Sequence, residues 1–420
     1  MTKILIITSA FAKNKDDPGD FIFDHAKSLN QGEMQIEVLT PHIDASKFWE
    51  EIGDIKVFRF PYFLPLKMQR LAYGNGIPYN IRNSNLAIIQ VPLFIASELA
   101  HTIIIIFNRK IEIINSHWLL PQGLVGGICK KVLQIPHIAT LHSSEVTMLR
   151  KIPFGRVFSQ FIAMNSDRII SVSKHRADEF VSLLAPRYRE KCKQKIVIIP
   201  MGIKHSTSKI LIDTIKLRSQ LNLNSRHIVL FVGRLDEVKG CEYLIESFRT
   251  VIAHKTDALL IIIGGGSLEE TLKKSVSEYG LDNCVRFEGF VEHDKIWDYY
   301  ALADIVVIPS IVDSSGYEEG LPVVLLEAIT AGKAVIGTNV KGICEVIQDG
   351  ENGLLVNQKN SKQLADKILD LLKNDELRNT LSQNALSCAD NYNQDFIADK
   401  YTDIIHELIS LKKRERGGIE

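Results

Sequence analysis

What the chain lacks narrows its class first. Only six cysteines occur in 420 residues: Cys129, Cys192, Cys241, Cys284, Cys344 and Cys388. They lie far apart and never form C-x-x-C. That argues against a zinc or disulfide framework and fits reduced core cysteines of a cytoplasmic protein. Net charge is also missing, since Lys+Arg and Asp+Glu number 50 each. No global footprint for nucleic acid or an acidic polymer is therefore expected, although a local basic cleft stays open. There is no Walker loop, because no G-K-[ST] follows the glycines Gly264, Gly265 and Gly266. Nor is there G-x-G-x-x-G, because Leu268 and Glu269 occupy its tail, which disfavours a nicotinamide dehydrogenase. No signal peptide is evident: TKILIITSA is too short an apolar run and reads as a first buried strand.

Long apolar runs are scarce. One, LAIIQVPLFIASELAHTIIIIF at 86–107, is long enough to cross a bilayer. Gln90, Pro92, Ser97, Glu98 and His101 interrupt it, and a carboxylate at mid-bilayer is costly. It reads as a packed or surface-lying helix, and whether it touches a membrane stays open.

What is present is alternation. Apolar residues make up 45% of the chain and charged residues 24%, the profile of a folded soluble protein of two or three domains. Short β-branched runs (KILIITS, QIEVLT, IKVFRF, IEIINSH, HIATLH, RIISVS, KIVIIP) alternate with helical stretches up to about residue 200. The pattern loosens over 200–224, then resumes with HIVLFVG, ALLIIIG, CVRFEGF, DIVVIPS, AVIGT and NGLLV. Continuous apolar strands between helices mean parallel sheets covered on both faces. The expected class is α/β, with Rossmann-like domains at 1–205 and 206–395 facing each other across a cleft. A C-terminal helix with a charged tail follows at 396–420. Ligands of such sheets bind beyond the carboxyl ends of the strands, so residues that follow strands are the candidates.

Several such residues carry chemistry. Arg234 and Lys239 follow HIVLFVG, as phosphate-binding cations or as solvated loop cations. Gly264, Gly265 and Gly266 let backbone approach a ligand at a helix N-terminus, or only shape a tight turn. After DIVVIPS comes EGLPVVLLEA, with Pro322 suited to the first helical turn and Glu319 and Glu327 on either side of an apolar run. Eight helical steps would part those acids by about 12 Å, beyond the roughly 5–10 Å of a glycosidase pair. Two grips on one long ligand fit better than a catalytic dyad. In the first half, His142 follows HIATL with Glu145 close behind, and His117 ends another strand. Lys174, His175 and Arg176 follow a third strand, as surface charges or as part of an anionic acceptor site.

Together these residues resemble the retaining nucleotide-sugar glycosyltransferases of family 4, which have the GT-B fold. The resemblance spans nearly the whole length, and its most specific element is E, seven residues, E at Glu319 and Glu327. FVGRLDEVKG, IIGGGSLEETL, FEGFV, ADIVVIPS, AGKAVIGT and EVIQDGENGLLV support it, while HWLLPQG and TLHSSE match more loosely. The resemblance implies that Arg234 and Lys239 hold the donor diphosphate and that Phe290 and Val291 contact the base. It puts Glu327 on the ribose and Glu319 on the transferred sugar, with the amides of Gly320 and Leu321 nearby and His142 at the reacting centre. It implies no bound metal or other cofactor, the nucleotide sugar being a substrate, and the sequence holds no D-x-D. The implied partners are a UDP- or GDP-sugar and a glycan or lipid-linked glycan, with no nucleic acid. The implied setting is cell-surface polysaccharide or glycolipid synthesis in the cytoplasm, with a place at the inner face of the plasma membrane left open.

Departures fall on the acceptor side, where His117, Glu145 and Lys174 are the candidates. The paired glycines of the family's first loop are represented only by Gly19, Ser143 and Ser144 follow the histidine, and MGIK stands at the interdomain segment. Lys67 and Arg70 lie among aromatic and apolar residues in YFLPLKMQRLAYGNGIPYN, either facing a lipid acceptor or packed on their own domain. Two other readings compete: a nucleotide-sugar epimerase of the same architecture, and a donor-binding protein without catalysis.

Overall fold

The computed structural model describes the chain except residues 12–19, 31–32, 45, 73–75, 143, 205–213, 221–222, 224–226, 255–256, 315 and 418–420. The chain divides into two compact units: Met1–Gly202 with Gln394–Glu420, and Ile203–Asn393.

The first unit runs β1 (Thr2–Ile7), α1 (Asp20–Leu29), β2 (Met34–Pro41), β3 (Trp49–Ile52), β4 (Ile55–Phe60), α2 (Ile77–Asn83), α3 (Asn85–Arg109) and β5 (Ile113–His117). A turn at Leu119–Gly123 leads to α4 (Leu124–Leu133), β6 (His137–Leu141), α5 (Ser144–Lys151), α6 (Gly155–Met164), β7 (Arg168–Ser171), α7 (Lys174–Leu183), α8 (Pro186–Lys193) and β8 (Ile196–Ile198). The sheet order is β3-β4-β2-β1-β5-β6-β7-β8, parallel except for the β3–β4 pair. The sequence signals no strand at Trp49–Ile52, which holds two acids and lies at the sheet edge, where pairing with β4 rather than its own pattern sets its conformation.

Both faces of this sheet are covered, and β1 shows how. Ile4 and Ile6 pack with Ile22, Ala26, Tyr401 and Ile405, whereas Leu5 and Ile7 pack with Phe60, Phe94 and Ile114. Period-two alternation in a strand thus feeds two apolar layers, which is why the run reads as continuously apolar.

The second unit runs α9 (Thr214–Gln220), β9 (His227–Val232), α10 (Cys241–His254), β10 (Ala258–Ile263), α11 (Glu269–Glu278), β11 (Val285–Gly289), α12 (His293–Leu302), β12 (Ile305–Ile308) and α13 (Val323–Thr330). It continues with β13 (Ala334–Thr338), α14 (Lys341–Cys344), β14 (Leu354–Val356), α15 (Ser361–Lys373) and α16 (Asp375–Ser387). All six strands are parallel, in the order β11-β10-β9-β12-β13-β14. Asn360 and Asn374 cap α15 and α16 by accepting from Gln363 N–H and Leu377 N–H, both at 2.9 Å. α17 (Gln394–Gly417) belongs to the first unit, where Tyr401, Ile404, Ile405 and Leu408 form its buried stripe.

The strand order reverses direction between β9 and β12. Loops leaving the carboxyl ends of these neighbours diverge, and the opening between them is where an open α/β sheet takes its ligand. In the first unit the same reversal falls between β1 and β5.

Candidate active site

Lys239 sits on the short turn Glu237–Lys239 after β9, and Glu319 on the loop after β12. The two meet at the reversal point: Lys239 Nζ donates to Glu319 Oε1 at 2.5 Å, and Ser310 Oγ donates to Glu319 Oε2 at 2.7 Å. Both charged side chains are largely shielded, at 13% and 14% exposure. Backbone packing fixes the pair. Ile311 N–H donates to Val238 O at 2.8 Å, and Gly240, in the left-handed region at φ 62°, lies so close to Pro309 that a Cβ would come within 2.0 Å of its carbonyl oxygen. Gly342 likewise leaves room for Gly320, whose carbonyl oxygen would be 1.2 Å from an added Cβ.

Pro322 corrects the sequence reading. It is not in the first helical turn but precedes it, extended at φ −65° and ψ 124°, and α13 begins at Val323. The seat of Gly320 against Gly342 keeps the preceding segment out of the helix. Leu321 and Pro322 then lead straight into the first amides of α13, which have no carbonyl partner within the helix and carry the positive end of its dipole.

Glu327 lies deeper, at 4% exposure. Tyr300 Oη donates to its Oε2 at 2.8 Å, and His293 Nδ1 lies 3.9 Å from Oε1. Burial raises this carboxyl above its usual range, while His293, Tyr300 and Lys239 pull it down. Tyr300 is itself fully buried, and its hydroxyl is held protonated well above the ordinary tyrosine range by burial and by Glu327.

The other second-unit candidates differ in how they are held. Arg234 is 75% exposed and pairs with Asp236 at 3.0 Å. Phe290 is exposed, Val291 half-buried, and both follow β11. Within the glycine triplet, Gly264 and Gly266 are demanded by packing, since a Cβ would strike Gly233 O at 2.0 Å and Leu235 O at 2.4 Å. Gly265 is not, its nearest neighbour being Glu269 Oε2 at 3.4 Å. Glu318 pairs with Lys341 at 3.7 Å and so anchors the loop beside Glu319.

The first-unit candidates gather differently. His117 ends β5, His142 follows β6, and both are buried. Their rings stack at 5.3 Å with His117 Nδ1 3.1 Å from His142 Nε2. Thr140 Oγ1 donates to Asn115 Oδ1 at 3.1 Å, which turns the Asn115 amide nitrogen toward His117 Nε2 at 3.4 Å. His117 therefore accepts at Nε2, carries its proton on Nδ1 and donates to His142 Nε2, leaving the His142 proton on Nδ1. A third imidazole, His25 on α1, lies 5.5 Å from His117 and 4.3 Å from the Tyr401 ring. Burial pushes His25 down to about 4 and His142 to about 3, and holds His117 well below the ordinary range. Phe21 and Trp118 complete the wall around His142.

Glu145 accepts from His142 N–H at 3.0 Å and so fixes the start of α5. Lys174 is the exposed first residue of α7, while its neighbour Arg176 is buried against Glu179. Gly19 lies outside the described residues. Ser310, Tyr300 and His25 were not legible as site residues. Ser310 does follow a strand, but Tyr300 and His25 sit within helices where only tertiary contact reveals them.

The comparisons with known proteins agree with these two units. Residues 20–207 match the model of Glycosyltransferase Family 4, and residues 213–387 match Glycosyl transferases group 1. An uncharacterized glycosyltransferase of Methanocaldococcus jannaschii is 32% identical over 280 residues, covering 67% of this chain and 71% of the relative. The chain belongs to glycosyltransferase family 4. A second relative of this glycosyltransferase is a GDP-mannose-dependent alpha-(1-6)-phosphatidylinositol monomannoside mannosyltransferase of Mycobacterium tuberculosis. It is 30% identical over 239 residues, 56% of this chain and 60% of its own. Anabaena HepE in complex with UDP-glucose superposes with a TM-score of 0.69 at 18% identity, over 97% of this chain and 100% of that one. Sucrose-phosphate synthase of Thermosynechococcus elongatus reaches 0.73 at 21% identity, over 98% and 100%. The fold of the glycosyltransferase is accordingly GT-B.

Proposed function

We propose that this glycosyltransferase is a retaining, metal-independent enzyme that moves a sugar from a UDP- or GDP-sugar to a hydroxyl of a glycan or lipid-linked glycan. The reading extends to a cytoplasmic role in cell-surface polysaccharide or glycolipid synthesis. The observation that carries it is the Lys239–Glu319 pair at the reversal point of the second sheet. The relatives' donors, UDP-glucose and GDP-mannose, and the phosphatidylinositol-based acceptor of one of them support the substrate classes.

Each residue then has a task. A leaving nucleoside diphosphate develops negative charge, which Lys239, Arg234 and the first amides of α13 would stabilise. Diphosphate oxygens compete with Glu319 for Lys239, and Glu319, still held by Ser310, turns its released oxygen to a sugar hydroxyl. Glu327 would take the ribose hydroxyls, Gly265 would leave room for backbone approach, and Phe290 and Val291 would meet the base. His142 stays neutral at pH 7, so it would serve the transferred sugar through its Nδ1–H rather than as a cation. Front-face attack by the acceptor hydroxyl, with the departing phosphate taking the proton, is the route that the likeness to retaining members of the family implies.

The test is incubation of the purified chain with UDP- and GDP-sugars, with and without EDTA, following released nucleoside diphosphate. Chelator-insensitive release, raised by glycan acceptors, is the expected result. Isomerised sugar without release would move the reading to an epimerase.

A further inference from the structure

The inward face of α3 is mixed: Ala87, Phe94, Ile105 and Ile106 join the apolar core, and Gln90, Glu98 and Thr102 are fully buried beside them. Gln90 Oε1 accepts from Arg70 N–H and Leu71 N–H at 2.9 and 3.2 Å, and its Nε2 donates to Met68 O at 2.7 Å. Ser97 Oγ donates to Pro61 O at 2.5 Å, and Gln122 Nε2 donates to Glu98 Oε1 at 3.0 Å. Burial raises the Glu98 carboxyl to about 8. The outward face is apolar, with Ile88, Ile89, Leu93, Ile104 and Phe107 all exposed, Ile89 at 62% and Phe107 at 65%. An ordinary surface helix turns a polar face outward, whereas α3 is apolar on both sides. These residues recur at helical spacing over 19 steps, a stripe about 28 Å long. Soluble monomers rarely leave so long an apolar face in water.

The charge around it identifies the occupant. Residues 61–111 contain five basic residues (Lys67, Arg70, Arg82, Arg109, Lys110) and a single acid, Glu98, which is buried. Arg82 lies in the last turn of α2 just before α3, Lys110 caps the far end of α3, and Lys67 and Arg70 lie in the loop that Gln90 holds. All four are exposed. A long apolar stripe bordered by cations, with no exposed acid in the segment, complements the surface of an anionic bilayer. Spanning is ruled out by the buried hydrogen bonds that tie the inner face to the domain.

We infer that the outward face of α3 lies flat on an anionic lipid surface, with the side chains from Ile88 to Phe107 inserted at the headgroup boundary and Lys67, Arg70, Arg82 and Lys110 over the headgroups. This deepens the acceptor reading above and rests on it for its purpose, since it brings the enzyme to lipid-linked substrate.

The experiment is co-sedimentation of the full chain with phosphatidylcholine vesicles, with and without phosphatidylglycerol, across a salt series. Binding at least tenfold tighter to the anionic vesicles, weakening with salt, is expected. The double variant Ile89→Asp/Phe107→Asp should lose about a hundredfold in vesicle affinity. Both sites are exposed, so its melting temperature and donor-induced thermal shift should match wild type, and those readouts report on the transfer reading independently. Equal partition with and without vesicles would overturn the inference. So would a concentration-dependent dimer, seen by sedimentation velocity and abolished by the same variant, which would assign the face to a second copy of the chain.

Discussion

The two sheets place chemistry at equivalent topological positions, yet build it from opposite materials. In the second unit, a lysine and a glutamate meet as an ion pair at low exposure. In the first, three imidazoles and a phenol pack ring against ring, and burial strips the imidazoles of charge. Under the proposed function, the difference would follow from what each corner binds. An anion site would present a cation, and a neighbouring carboxylate can hold that cation in position until the ligand arrives. A site for neutral hydroxyls would need direction rather than charge, which a desolvated donor–acceptor chain can supply.

The sharpest way to break the contrast is to remove the cation. Lys239→Ala should lower kcat/KM about a thousandfold, the scale of losing a charged group preorganised for a developing anion. It also leaves Glu319 shielded and unpaired, so the single variant should be less stable than wild type. Lys239→Ala/Glu319→Ala should recover part of that stability while staying inactive. Steady-state kinetics and a double-mutant cycle on thermal unfolding measure the two effects. A single variant within threefold of wild-type kcat/KM would end the reading of this pair as the donor site.

The contrast in titration is next in size. His25 has a folded-state pKa near 4 against 6.5 unfolded. The unfolded chain therefore takes up a proton below pH 6.5 that the folded chain refuses until about pH 4. Stability from this group is fully present above 6.5 and is lost as pH falls through that window, by about 1.4 kcal/mol per pH unit and about 3 kcal/mol in all. His142 and His117 are displaced in the same direction. His25→Phe should flatten the acid limb of a urea-unfolding stability profile by one proton. An unchanged slope between pH 6 and 4 would show that the cluster opens to water before the chain unfolds.

How much of this was legible in sequence follows the same divide. The second unit's candidates could be read because they sit on loops directly after apolar strands: GRLDEVKG after β9 and EGLPVVLLEA after β12 place Lys239 and Glu319 without knowledge of packing. The parallel sheets were legible for the same reason, since strands covered on both faces show as unbroken β-branched runs. The pairing of Lys239 with Glu319 was not, because it joins residues 80 apart through a glycine, Gly240, whose role appears only when Pro309 lies against it. His25 was hidden inside a helix, where a histidine looks like any other polar residue. For α3, the interrupting residues Gln90, Ser97, Glu98 and His101 were visible in the sequence, but which face they took was decided by partners at residues 61–71 and 122.

A smaller effect tests whether the second unit's buried acid belongs with the charged corner or with the dry one. Glu327 is as buried as the histidines, yet retains partners that favour its charged form, Tyr300 among them. Tyr300→Phe removes one donor to the carboxylate, a loss of about 1.4 kcal/mol or tenfold in affinity. If Glu327 grips the donor as an anion, the donor KM should rise by that factor with kcat nearly unchanged. The rise should also be larger at pH 6 than at pH 8, because without the hydroxyl the carboxyl takes up its proton at a higher pH. A purely structural hydroxyl would instead lower the melting temperature and leave the pH profile of KM where it was. Glu327→Gln separates these outcomes further: it keeps the shape and removes the charge, so it should reproduce the loss of donor affinity while erasing its pH dependence.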